Sequence, residues 1–165
     1  MHNNFLSSEP VTAHEMRGVL AGFATGVVVV AAEVEGAVVG LSANSFTSVS
    51  LDPPLVSISF AHTSTSWPVL RENPRWGVSV LGEQQSHVLQ ELRLPAQERF
   101  SRLDMHVESG AAFVAGALAR LTVELDTEVD AGDHALTLLR VLELDRDAEQ
   151  HPLIFFGSGV HRLAR

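Results

Sequence analysis

Hydrophobic and polar positions follow strand-like patterns along most of the chain. Residues 27–34 are almost entirely apolar and largely β-branched, which is typical of a strand buried on both faces. Glu35-Gly36 is a turn signal, so residues 37–43 are predicted to return as the second strand of a hairpin. Other strand patterns occupy residues 55–61, 75–81, 118–129, 134–144 and 153–156.

Helical periodicity is confined to three short segments, residues 13–22, 67–72 and 83–92. Thr12 and Glu15 have the spacing of a capping box, which predicts the start of the first helix. Pro53-Pro54 are expected to end a strand ladder, because neither proline can donate an amide hydrogen. Residues 94–110 show no clear period and are expected to be irregular.

The number and order of these segments bound the fold. Six or seven strands, joined mostly by hairpins, predict a mainly β protein built as an antiparallel barrel with peripheral helices. Because strands and helices do not alternate, a doubly wound sheet is disfavoured. The length of 165 residues fits one domain, expected over residues 12–165 after an N-terminal tail of residues 1–11.

Composition excludes several classes of function. Twenty acidic residues outnumber eleven basic ones, all arginine, and the net charge of −9 disfavours binding to nucleic acid. Cysteine is absent, which excludes disulfides, thiolate metal sites and a cysteine nucleophile. The longest apolar run, residues 27–32, is too short to cross a membrane, and the N-terminus lacks a leader pattern, so a cytoplasmic protein is expected.

The inventory of acid–base residues is thin. Eight histidines are scattered without metal-ligand spacing, and Gly157-Ser158-Gly159 matches neither a nucleophile elbow nor a phosphate loop. Small polar residues instead crowd three breaks between strands, at residues 44–50, 62–66 and 132–134. Such groups suit a flat ligand with polar edges. The alternative reading is that serine and threonine simply favour turns.

Two long runs, residues 23–30 and 40–56, carry a resemblance to a known family. Shorter matches follow in the same order: Asn73-Pro74, residues 80–85, Arg99-Phe100, residues 116–119 and Gly132-Asp133-His134. On these residues the chain resembles the flavin reductase-like family, which supplies the small reductase components of two-component flavin-dependent monooxygenases. The resemblance extends over about residues 14–163.

The resemblance implies an antiparallel split β-barrel of Greek-key type that binds FMN or FAD, uses NADH or NADPH and forms a homodimer. His134 would be the catalytic residue, beside the nicotinamide face of the flavin. The implied flavin-binding residues are Asn44, Ser45, Phe46, Thr47, Ser48 and Ser50 along the ring, Pro53 at the adjacent turn, His62, Ser64, Thr65 and Ser66 near the phosphate, and Phe100 closing over the flavin. For Phe46 and Phe100, packing within the protein is the alternative role.

The function implied is an NAD(P)H-dependent flavin reductase that passes reduced flavin to a separate monooxygenase. Two departures from the family pattern keep alternatives open: His62 stands where a basic residue is common, and residues 156–161 replace an aromatic-Arg-Gly-aromatic stretch. One alternative is a non-catalytic flavin-binding protein on the same barrel. The other is an oxidoreductase that keeps its flavin and acts directly on an organic substrate.

Overall fold

The computed structural model describes residues 9–164 and contains three short helices and eleven strands. The helices are α1 (Ala13–Leu20), α2 (Trp67–Arg71) and α3 (Ser86–Glu91). The strands are β1 (Val28–Val34), β2 (Ala37–Ala43), β3 (Thr47–Leu51), β4 (Pro54–Ala61), β5 (Trp76–Val80), β6 (Met105–Glu108), β7 (Ala111–Val114), β8 (Ala119–Ala131), β9 (His134–Arg146), β10 (Ile154–Phe156) and β11 (Gly159–His161).

Nine strands form one antiparallel sheet that curls into a split barrel. The order is β3-β4-β9-β8-β5-β1-β7-β6, with β2 also paired to β1. β10 and β11 form a separate two-stranded ribbon, which an isolated bridge between Thr25 and Phe155 ties to the start of β1. The predicted mainly β barrel with peripheral helices is therefore confirmed.

Strand β1 divides the interior into two hydrophobic clusters. Val28 and Val30 face one cluster, whereas Val27 and Val29 face the other, and all four side chains are buried. The first cluster includes the rings of Phe60, Trp67 and Trp76, of which Phe60 and Trp67 stack with centroids 4.1 Å apart. This burial on both sides explains the unbroken apolar pattern of the strand.

The β1–β2 and β8–β9 hairpins form where the sequence predicts them. In the first turn Glu35 and Gly36 both have positive φ, 51° and 81°, as a tight hairpin requires. The capping box is also present: the Glu15 amide donates to Thr12 Oγ1, and the Thr12 amide donates to Glu15 Oε2. Helix α1 ends at Leu20, two residues earlier than predicted.

Three expectations were wrong. The segment expected to be irregular, residues 94–110, contains strand β6. The number of strands exceeds the predicted six or seven, because β6, β7 and β11 add to them. These strands have three or four residues, too few for a period to show. Pro54 also does not stop the ladder, because Asp52 and Pro53 form the turn and Pro54, as the first residue of β4, pairs with Leu51 across it.

The residues outside this description include most of the predicted tail, since residues 1–8 and 165 are not described. Residues 9–12 form neither helix nor strand. Over residues 9–164, no helix has the length and apolar character needed to cross a membrane.

Candidate active site

A cleft of about 440 Å³, which we call the first cleft, opens beside the loop that joins β2 and β3. Its walls come from residues 41–45, 59–61 and 63–65, together with Arg99 and His134. Four segments that are distant in the sequence therefore meet here. The cleft has the size of a small-molecule site, and its floor includes Phe60 of the first hydrophobic cluster.

The loop between β2 and β3 is pinned to β4 by one serine. Ser45 Oγ accepts a hydrogen bond from the Ser59 amide at 3.0 Å and donates to the Ser59 carbonyl at 3.3 Å. This double contact fixes the position of Asn44, which is exposed at the edge of the cleft. An asparagine there offers both a donor and an acceptor to a ligand.

The loop before α2 supplies hydroxyl groups to the same cleft. Ser64 Oγ accepts a hydrogen bond from the Trp67 amide at 3.1 Å and so holds the start of the helix. Ser64 and Thr65 line the cleft, whereas Ser66 does not and is only 3% exposed. The Ser66 hydroxyl faces the interior of the protein rather than a ligand.

The partner of Ser66 is a cation that the sequence did not predict for the site. Arg99 donates from Nη1 to Ser66 Oγ at 3.0 Å and from Nε to the Leu94 carbonyl at 3.1 Å. These bonds use two of the five N–H donors of its guanidinium. Arg99 lines the first cleft and makes no ion pair with a carboxylate of residues 9–164. Its charge is therefore available to an anionic ligand.

His134 also lines the first cleft and is the first residue of β9, directly after the turn that joins β8 to β9. Its Nδ1 lies 2.6 Å from Asp133 Oδ1, which leaves Nε2 as the ring nitrogen available to a ligand, and its side chain is 42% exposed. The hydrogen bond from His134, followed by its electrostatic attraction, lowers the pKa of the Asp133 carboxyl. A second pair joins His62 Nε2 to Asp130 Oδ1 at 2.9 Å. Both carboxylates thus hold imidazoles near the cleft.

Two other depressions share lining residues with the first cleft. The second cleft, of about 270 Å³, is lined by residues 42–44 together with Val27, Leu89, Leu92, Arg93 and Phe155. The third cleft, of about 460 Å³, is lined by Leu20, residues 23–26 and residues 44–47. Asn44 belongs to all three. Thr25 Oγ1, in the third cleft, is shielded from water and has no hydrogen-bond partner within the described chain.

The structure brings some of the predicted residues together and separates others. Asn44, Ser45, Ser64, Thr65 and His134 line the first cleft, and Phe46 and Thr47 line the third. The remaining predicted residues line none of the three clefts: Ser48, Ser50, Pro53, His62, Ser66 and Phe100. Phe100 packs against the second hydrophobic cluster, and Phe46 packs partly against the first. The ligand contacts assigned to all of these residues stay predictions.

Arg99 lines the cleft although the sequence predicts only its neighbour Phe100 as a site residue. The pair Arg99-Phe100 carried part of the family resemblance, yet only the aromatic residue was assigned to the site. Nothing local marks the arginine, because it lies 33 residues from Ser66 and reaches it only in the folded chain. The signal available in the sequence was the absence of any basic residue among residues 62–66.

Within residues 9–164, fold and site together define a barrel with a cleft that is rich in neutral hydrogen-bonding groups and lined by one arginine without a carboxylate partner. The chain belongs to the flavin reductase-like family, since the family model described as "Flavin reductase like domain" matches residues 20–164.

Similar proteins of known name and structure agree with this family. An FMN reductase (NADH) of Agrobacterium fabrum is 36% identical over 155 residues, which cover 93% of this chain and 87% of the relative. The reductase subunit of a flavin-dependent monooxygenase of Rhodococcus jostii is 31% identical over 92% of this chain and 78% of its own. The solved NADH:FAD oxidoreductase of Streptomyces globisporus superposes with a TM-score of 0.87 and 31% identity, covering 96% of this chain and 98% of that one.

Proposed function

We propose that this protein is an NADH-dependent flavin reductase that reduces FMN or FAD and supplies it to a separate flavin-dependent monooxygenase. The observation that carries the proposal is the convergence of Asn44, Arg99 and His134 on one open cleft in a chain of this family. The relatives named as an NADH-dependent FMN reductase and as a monooxygenase reductase subunit support the choice of nicotinamide and of partner.

The residues present fit a flavin. The hydroxyls of Ser64 and Thr65 and the unpaired guanidinium of Arg99 would hold its phosphate at one end of the first cleft. Its ring would lie toward Asn44 and the third cleft, where Thr25 Oγ1 lacks a partner. A buried hydroxyl without a hydrogen bond is costly, and a polar ring edge would satisfy it.

The flavin would accept a hydride, two electrons with one proton, from the reduced nicotinamide. The protein needs no nucleophile or strong base for this transfer, which agrees with its thin acid–base inventory. Its residues would act by position: the Ser45–Ser59 contact fixes the loop that would adjoin the ring, and Arg99 and Ser64 would hold the phosphate. Holding two reactants about 3–3.5 Å apart accounts for much of the rate gain in such reactions.

His134 would meet the nicotinamide from its position in the lining of the first cleft. With Nδ1 tied to Asp133, the imidazole is held in one orientation and can offer Nε2 to a carboxamide or a phosphate. The role is one of positioning, because hydride transfer does not pass through the imidazole. Five residues that the sequence predicts to contact the flavin line none of the clefts: Ser48, Ser50, Pro53, His62 and Phe100. In this proposal they support the loops that form the clefts.

We infer a homodimer from the surface of α1. The helix buries none of its residues, and its apolar side chains continue into Phe23, which is 74% exposed, as is Val19 at 78%. An exposed apolar stripe of this kind is typical of an interface, and a second copy of the chain would cover it. Val19→Glu should therefore lower the sedimentation coefficient at micromolar concentration, whereas Val129→Glu on the exposed face of β8 should not. Equal behaviour of the two variants would exclude α1 from the interface.

The central test measures oxidation of NADH by the purified chain with and without added FMN. We expect turnover only when flavin is added, and loss of flavin on gel filtration, since a reductase that delivers its product must release it. Flavin that is retained without any NADH oxidation would instead identify a non-catalytic flavin-binding protein. Retained flavin that NADH reduces once, and an organic substrate reoxidises, would identify an enzyme that keeps its flavin.

A cytoplasmic location is part of the same proposal.

A further inference from the structure

His62 connects two segments that line the first cleft. One is residues 63–65, which we call the hydroxyl loop, and the other is the turn that leads into His134. The His62 amide donates to the Asp133 carbonyl at 3.0 Å, and His62 Nε2 lies 2.9 Å from Asp130 Oδ1. His62 and Asp130 are 68 residues apart in the sequence, so this pair joins parts of the cleft that only the fold brings together.

The His62–Asp130 pair supports the turn without entering the cleft. Asp130 is the cross-strand partner of Ala135, which is buried in the first hydrophobic cluster. His134 precedes Ala135 by one residue, so its side chain points to the opposite face of the hairpin, as does that of its cross-strand partner Ala61. Ala61 and His134 line the first cleft, and His62 does not. The pair therefore holds the turn from the face opposite to the one that presents His134.

Strand β8 also holds the chain on the other side of the hydroxyl loop. Arg71, at the end of α2, pairs with Glu128 at 3.1 Å, and Glu128 lies two residues before Asp130 on β8. The segment from His62 to Arg71 is thus tied to β8 at both ends. The hydroxyl loop and the turn after β8 therefore share one frame, and the position of one determines the position of the other.

We propose that His62 is a positioning residue for flavin reduction, which keeps the hydroxyl loop in register with His134 through its contacts with Asp130 and Asp133. The inference rests on the proposed function, in which the loop holds the flavin phosphate and His134 meets the nicotinamide. It differs from the direct phosphate contact that the sequence predicts for His62. Exposed ion pairs contribute little to the stability of a fold, whereas a small misplacement of two reactants slows a transfer between them strongly.

The test compares His62→Ala and His62→Gln with Arg140→Gln. Glutamine carries an amide donor near the position of Nε2 and should keep the contact with Asp130, whereas alanine removes it. The control removes another ion pair of β8, between Arg140 and Asp126 at 2.7 Å, which does not involve the hydroxyl loop.

We measure the affinity for FMN and the single-turnover reduction of FMN and of riboflavin, each at saturating flavin and NADH. The rate with FMN should fall roughly 5-fold in His62→Ala and stay near the parent value in the other two variants. The rate with riboflavin should not change, because riboflavin lacks the phosphate that the loop would hold. An equal loss with FMN and riboflavin would show a general structural role and overturn the proposal. Weaker FMN binding at an unchanged rate would identify a phosphate ligand and overturn it too, as would an equal loss in His62→Gln or Arg140→Gln.

A second readout needs no flavin. In the flavin-free protein, the NMR signals of the His134 ring should shift in His62→Ala and keep their positions in Arg140→Gln. Unshifted signals in His62→Ala would refute the connection between His62 and His134. A parent protein that does not reduce FMN would contradict the reductase function instead, and the ring signals would still decide whether His62 positions His134.

Discussion

Replacing Arg99 tests whether the first cleft recognises the phosphate of a flavin. Arg99 keeps three N–H donors after its bonds to Ser66 and Leu94, and its guanidinium is the one cation that lines this cleft in the described chain. Hydrogen bonds to charged groups contribute about 1.5–3 kcal/mol. Because the cleft is open to solvent, the lower end applies, and Arg99→Gln should weaken FMN binding by about 1.5 kcal/mol, roughly 12-fold.

Riboflavin provides the control ligand, since it has the same ring and lacks the phosphate. Dissociation constants for FMN and riboflavin, measured by flavin fluorescence in the parent and in Arg99→Gln, form a closed thermodynamic cycle. Only the FMN affinity should fall. Arg102→Gln, three residues along the same segment, controls for the general loss of positive charge. If riboflavin and FMN weaken equally in Arg99→Gln, the arginine supports the fold of the cleft and does not contact the phosphate.

Ser66 extends the same cycle to a residue that cannot touch the ligand itself. Its hydroxyl is buried and accepts from Arg99, so Ser66→Ala should weaken FMN through the arginine. The double variant should then be no weaker than Arg99→Gln alone, because both changes remove one interaction. Additive losses would show that Ser66 contributes to flavin binding by a route independent of Arg99.

Further predictions concern the turn, the sheet and the first helix. His134→Ala should lower the rate of NADH oxidation while circular dichroism stays unchanged; an unaltered rate would leave His134 a turn residue. Gly77→Ala should lower thermal stability, because a Cβ there meets the main chain of β7. Gly18→Ala on α1 meets nothing and should stabilise the protein by about 0.5–1 kcal/mol. A Gly77→Ala variant more stable than Gly18→Ala would contradict this packing. The Thr12 amide and hydroxyl lower the pKa of Glu15, so its stabilisation of α1 should be complete above the ordinary glutamate pKa and disappear as pH falls through the lowered value. Glu15→Gln, which removes the titrating carboxyl, should abolish that dependence in amide-exchange rates near α1.

The framework of the barrel was predictable because it depends on local signals. The β1–β2 hairpin combines an unbroken apolar strand with the Glu35-Gly36 turn, in which Gly36 suits positive φ. The β8–β9 hairpin combines clear alternation with a Gly132-Asp133 turn. In both hairpins the pattern of burial and the turn chemistry specify the same register, so sequence reasoning succeeds.

Strands β6 and β7 escaped prediction because tertiary pairing, not pattern, stabilises them. Four residues are too few to reveal a period of two, and β7 is buried at every position. Its place is set by pairing with β6 and by the bridge from Ala111 to Ala32 of β1. Similarly, a proline cannot donate an amide hydrogen to a neighbouring strand, yet Pro54 pairs with Leu51 across the turn and belongs to the ladder.

The sequence predicts the small polar residues of the candidate site but does not predict its charged residue, Arg99. Serine and threonine around strand breaks are visible in the sequence, whereas the approach of Arg99 depends on how residues 94–103 fold over the barrel. The structure also separates roles that the sequence cannot separate. Ser64 and Ser66 look equivalent in the sequence, yet one lines the cleft and the other anchors an arginine.

The internal bonding of the cleft explains how one site could both bind and release a flavin. The side chains of Ser45, Ser64, Ser66 and His134 each bond to the protein itself, which orders the site before any ligand arrives. Contacts to the phosphate are the same for oxidised and reduced flavin, so they add affinity without favouring either state. Any preference must come from groups beside the ring, and the proposed position of the ring brings it toward Asn44 and the Thr25 hydroxyl. Thr25→Val should therefore change the ratio of the affinities for oxidised and reduced FMN, whereas Arg99→Gln should leave this ratio constant. If the ratio is constant in both variants, the preference for one redox state of the flavin comes from other residues.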